Sequence, residues 1–130
     1  VFNLNNCNKS IAVNQEGGEM AEYETLLVMI DKRGGSRYRT YNVRQRICDS
    51  GLEIFDFPLD RVALRDSHLG CIGYDLIKKL NDIDGIEGVV IRPYSLCVER
   101  NIVYSWADIE NDILFTIEAA VKKPVEIKRR

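Results

Sequence analysis

The chain has 130 residues, 45% hydrophobic and 29% charged, with net charge −2 and a pI near 5.5. This is the composition of an ordinary globular domain, and its charge balance favours neither nucleic acid nor an anionic membrane as a bulk partner. No apolar run approaches the roughly 18 residues of a membrane span, and Val1–Asn6 lacks the charged start and apolar core of a secretory signal, so the cytoplasm or an organelle matrix is the expected setting.

In chain order, residues 1–20 read as an extended or mobile arm rich in Asn, with a short alternation at Ser10–Val13. A single domain is expected over residues 21–123. Its first strand is the apolar run Thr25–Ile30, bounded by charges and of strand length. Gly34-Gly35 supplies a turn, and Tyr38–Val43 alternates β-favouring residues, completing a hairpin. A further strand fits near Glu53–Phe57, before Pro58.

The first helix is expected to open at Asp66-Ser67, with Ser67 capping it and Leu69, Ile72, Leu76 and Leu80 recurring at helical spacing. Gly70 and Gly73 each weaken a helix by about 1 kcal/mol against alanine, so close packing is their expected purpose. A turn at Ile83–Gly88 feeds the strand Val89–Ile91. The tight turn Arg92–Ser95 returns the chain through Leu96–Glu99. The last helix carries stronger signals: a Ser105/Asp108 capping box, Tyr104 placed to staple onto Ile109, and an apolar stripe of Trp106, Ile109, Ile113, Ile117, Ala120 and Val121. Pro124 ends it, and residues 124–130 read as a solvated basic tail. The fold class is α+β: a two-layer sandwich with two helices on one mostly antiparallel sheet, ordered strand-strand-helix-strand-strand-helix.

Several of these residues carry a resemblance. Ser67-His68-Leu69-Gly70 stands where the N-terminal domain of the Nfu/NifU-type iron–sulfur scaffold proteins has a Ser-Pro-Leu-Ala-like helix opening. Ile83-Asp84-Gly85-Ile86-Glu87-Gly88-Val89 matches that family's Ile-x-Gly-Val-x-x-Val. Leu96-Cys97-Val98-Glu99-Arg100 matches its Ile-x-Val-x-Lys, and Trp106 supplies the tryptophan that opens the last helix. The chain resembles that domain over residues 67–121. The resemblance implies a small non-catalytic adaptor connected with iron–sulfur protein maturation. It does not carry over cluster chemistry, because the family's ligands are a Cys-x-x-Cys pair in a separate domain and Cys7, Cys48, Cys71 and Cys97 form no such pair.

The chief candidate surface is residues 32–46, which hold six basic residues and no acid. Lys32, Arg33, Arg37, Tyr38, Arg39, Tyr41, Arg44 and Arg46 form the expected partner-binding set. Strand parity puts Arg37, Arg39 and Tyr41 on one face and Tyr38 and Thr40 on the other. Three readings stay open. The charges are those of a solvated edge hairpin protected against aggregation, or they grip an acidic protein partner, or they pair phosphates while the rings stack on bases.

Disulfides are not expected from the cysteine spacing, and His68, the only histidine, leaves a zinc site short of ligands. Cys71, near a helix start and three residues from His68, is a weaker candidate nucleophile that lacks an orienting group. The remaining acids show no metal-loop spacing. Neither a cofactor, a metal nor an enzymatic activity is expected.

Overall fold

The computed structural model describes residues 24–129. Among the described residues six strands and three helices follow one another: β1 (Leu26–Asp31), β2 (Tyr38–Val43), β3 (Glu53–Asp56), α1 (Arg61–Arg65), α2 (Gly70–Leu80), β4 (Ile86–Arg92), β5 (Ser95–Arg100), α3 (Trp106–Val121) and β6 (Val125–Arg129). The class is α+β, with one mostly antiparallel sheet ordered β3-β4-β5-β2-β1-β6. None of the described helices is long and apolar enough to cross a membrane. The arm expected over residues 1–20 lies outside the described residues.

Both hairpins form where turn chemistry and alternation put them. β1 and β2 pair with Val28 opposite Val43 and Ile30 opposite Tyr41, and β4 and β5 pair with Ile91 opposite Leu96. Leu26, Val28 and Ile30 are buried while Leu27 and Met29 are only half-buried, so β1 turns alternate residues into the core. The core joins these strands to Leu76, Ile77 and Leu80 of α2 and to Ile109, Ile113 and Ile117 of α3. Each is a side chain whose full burial contributes about 1.5–3 kcal/mol.

Three local departures from expectation have physical causes. α2 starts at Gly70, not at Ser67; the Ser67 hydroxyl instead donates to the Leu64 carbonyl at 2.6 Å. That carbonyl belongs to α1, a short helix whose first turn is capped by Asp60, which accepts from Val62 N at 2.9 Å. Ser67 thus fastens onto the end of α1, and α2 opens after Leu69 without a side-chain cap. Gly73 does serve close packing, but its neighbour is the Ile47 backbone: a Cβ there would lie 2.8 Å from that carbonyl.

The largest departure is at the C-terminal end. Val125–Arg129 stays largely exposed, as a solvated segment should, but it is a strand: β6, parallel to β1 with Val28 opposite Ile127. Lys122, in the left-handed conformation (φ 65), ends α3 and turns the chain. Leu26 N then donates to Pro124 O at 2.8 Å, and Val125 N donates to the Glu118 carboxylate at 3.0 Å. Five residues of alternating apolar and charged type give little local signal. β1 offers an open edge, and pairing satisfies backbone groups on both strands.

The α3 entry behaves as its sequence implies. Ser105 and Asp108 form the reciprocal capping box. Gly85 adopts φ +103, and a Cβ there would lie 2.7 Å from Tyr104 Cγ and 2.9 Å from Ile109 Cγ2. Gly85→Ala is therefore expected to combine left-handed strain with overpacking, destabilising the fold by about 3 kcal/mol. Urea denaturation measures this, and a loss below about 1 kcal/mol would show that the turn relaxes freely.

Candidate functional site

The basic hairpin lies inside the sheet. β5 flanks β2 and β6 flanks β1, so neither strand of the hairpin is an edge. Arg39 and Tyr41 do share a face, as strand parity requires, and that face looks inward at α3; Arg37, expected beside them, precedes β2 and pairs elsewhere. Tyr41 is fully buried, and its hydroxyl donates to Glu110 Oε2 at 3.2 Å. The Arg39 guanidinium pairs with the same oxygen and lies 4.8 Å from the centroid of the Trp106 ring.

Arg129, reaching from β6, completes the cluster with a 2.8 Å bond to Glu110 Oε1. Glu110 is only 7% exposed. Burial alone would push its carboxyl upward, but the hydrogen bonds and positive charges of Arg129 and Arg39 outweigh it and hold the group below its ordinary value. Burial, reinforced by the adjacent Glu110 carboxylate, drives the Tyr41 phenol far up, so it stays a neutral donor.

The rest of the hairpin is fastened on its other flank. Arg37 bridges Glu87 at 2.8 Å and Glu99 at 2.9 Å. Arg33 pairs with Asp31 at 2.6 Å. The Ser36 carbonyl accepts from Trp106 Nε1 at 2.8 Å and from Arg100 Nη2 at 3.1 Å, tying the turn to the start of α3. Arg46 donates to the Cys48 carbonyl at 3.2 Å.

These contacts correct the expected binding set. Arg39 is paired beneath α3 and Tyr41 is sealed from any partner, whereas Arg33 and Arg37 form ion pairs at the surface and stay exposed. Lys32 and Tyr38 remain exposed at the turn end, and Arg44 and Arg46 at the far end of β2. Six residues of strand separate the two ends by about 20 Å. No continuous cationic face results, and the edge-hairpin reading fails with it.

Cys71 is disulfide-bonded, contrary to the expectation from spacing, and so is not a free nucleophile; Cys48 and Cys97 are free. Burial raises the Cys48 thiol above its ordinary range, so that thiol is also poorly reactive. His68 is exposed. Among the described residues no group of three or more His, Cys, Asp or Glu side chains is placed to hold a metal ion.

A second surface escaped sequence reasoning. Where α3 begins, a groove of about 760 Å³ is lined by Asp82, Ile83, Asp84, Val103, Tyr104, Asp108, Asp112, Phe115 and Thr116. Val103 is 82% exposed and Phe115 71%. The sequence signal was the phase of Phe115, which falls outside the buried stripe of Ile109, Ile113 and Ile117. The aspartates come from separate segments that only the fold brings together. Of these, Asp108 is held below the ordinary carboxylate range by the Ser105 backbone amide and then the Ser105 hydroxyl.

No family model matches the chain, and no curated protein matches it in sequence.

The Glu110 cluster makes a pH-dependent prediction. Because its carboxyl sits below the ordinary value of about 4.3, its stabilising effect is fully present above that pH and is lost as pH falls through the lower folded-state value. Glu110→Gln, which leaves Arg39 beneath α3 without its counter-charge, should lower stability at pH 7 by about 2 kcal/mol. The gap from wild type should narrow below about pH 4. Asp108 is common to both proteins, so its own acid dependence cancels. Urea midpoints at pH 7 and pH 3 measure the difference, and a gap independent of pH would exclude an ionised Glu110.

Proposed function

We propose that the chain is a small non-catalytic protein-interaction domain whose docking surface lies at the start of α3, not on the 32–46 hairpin. The observation that carries this reading is the exposure of Val103 and Phe115 beside one groove; Ile102, preceding Val103 in the chain, is 77% exposed as well. Large apolar side chains grouped at a surface are stabilised when a partner removes them from water, and aromatic anchors dominate such interfaces.

The chemistry elsewhere agrees with a non-catalytic role. Glu110, the one buried carboxylate among the described residues, is held ionised between two arginines. A proton-transfer group near neutral pH needs the opposite shift. Nucleic acid is the poorer partner, because Arg39 is paired beneath α3 and the buried Tyr41 offers no ring for stacking.

The resemblance of residues 67–121 to the Nfu-type N-terminal domain supports the same adaptor role, with the two longer helices layered on one sheet. A connection with iron–sulfur protein maturation rests on that resemblance. The disulfide at Cys71 weighs against the cytoplasmic or organelle-matrix setting, since those compartments keep thiols reduced.

Photocrosslinking in cells tests the reading, with a photoreactive phenylalanine analogue in place of Phe115 or, as comparison, of Tyr38. Position 115 should give a discrete, nuclease-resistant protein adduct that position 38 does not. Adducts from position 38 alone, nuclease-sensitive adducts, or none at either position would count against it.

A further inference from the structure

We infer that the groove at the start of α3 docks a cationic amphipathic segment of a partner protein, one that presents apolar side chains alongside lysine or arginine. This rests on the interaction-domain reading and specifies the partner's chemistry.

The groove is charged on one side of the balance only. Asp82, Asp84, Asp108 and Asp112 line it together with Val103 and Phe115, and among the described residues no lysine or arginine does so. All four aspartates are exposed, and none forms an intramolecular salt bridge among the described residues. This contrasts with the hairpin, where Arg33, Arg37 and Arg39 each have a carboxylate partner. The whole chain carries a net charge of only −2, so four carboxylates around one groove make it a local maximum of negative potential. An apolar partner without charge would leave these carboxylates facing its low-dielectric surface, at a desolvation cost that a cation offsets.

Beyond Phe115 the sign changes. A shallower depression continues from Phe115 past Glu118 to Lys122 and Lys123. The positive end of the docked segment is therefore assigned to the Asp108 side of Phe115, which gives the interaction a direction.

Two alternative occupants fit less well. A second copy laid antiparallel on α3 about Phe115 would oppose Asp112, three residues before it, to Glu118, three residues after it, and would bring no cation to Asp82 or Asp84. The chain's own residues 1–23 hold one lysine against three glutamates. Neither supplies the required charge.

The test uses the full chain and three labelled helical peptides of about 18 residues: leucine with lysine on opposite faces, leucine with glutamate, and serine with lysine. Fluorescence anisotropy should detect binding of the leucine–lysine peptide only. Phe115→Ser should weaken it roughly tenfold, as expected for loss of a central aromatic anchor. Asp84→Asn with Asp112→Asn should weaken it and flatten its salt dependence. Ile54→Ser, at an exposed residue of β3, should leave it unchanged. Circular dichroism confirms that each variant is folded; these side chains are exposed, and Asp108 is left alone because it caps α3.

Equal binding of the serine–lysine peptide would reduce the site to non-specific charge and overturn the inference, as would binding of the glutamate peptide or indifference to Phe115→Ser. Sedimentation showing a dimer that Phe115→Ser dissociates would assign the groove to a second copy instead. Failure of the peptides alongside a protein adduct at position 115 would refute the cationic partner and leave the interaction-domain reading standing.

Discussion

A single buried carboxylate organises this domain. Glu110 projects from α3 and receives Arg39 and Tyr41 from β2 and Arg129 from β6. An ionised carboxylate at 7% exposure persists only where charge-assisted hydrogen bonds replace its water. Three donors from two strands do so here, and each is thereby fixed against the same helix. The consequence reaches the whole sheet: β2 is tied beneath α3, and the final strand is secured through a charged side chain as well as through its parallel ladder with β1.

That constraint explains why a strongly basic ribbon does not become a basic surface. The arginines of residues 33–39 meet Asp31, Glu87, Glu99 and Glu110, which lie far apart in sequence and are assembled by the sheet and α3. Trp106 adds its ring over Arg39 and its indole N–H to the Ser36 carbonyl, joining the β1–β2 turn to the helix start. A tryptophan at that position joins two elements while packing against the margin of the core. At the start of α3 the charge without an ion-pair partner is negative, gathered around Val103 and Phe115.

Much of the framework is local and was legible as such. Apolar runs of strand length, the Gly34-Gly35 turn and the Ser105/Asp108 capping box all follow from neighbouring residues. Short-range sterics and hydrogen bonding specify them before any distant contact forms. The misread features share the opposite property. β6 needs the edge of β1, about a hundred residues away in sequence. Ser67 ends up bonded to a carbonyl of α1, three residues before α2 begins. Cys71 is disulfide-bonded despite a spacing that signalled nothing.

Sequence by itself determined the α+β class, the two hairpins, the capped last helix and the face of β2 shared by Arg39 and Tyr41. Those depend on periodicities of two and of about 3.6 residues, which are carried along the chain. Whether that face of β2 looked outward or inward was decided only by tertiary structure. Parity distinguishes the two sides of a strand, but which side meets a helix depends on where a helix some seventy residues later comes to rest. The same assembly step paired the arginines, buried Tyr41 and collected four aspartates from two separate segments around one exposed phenylalanine.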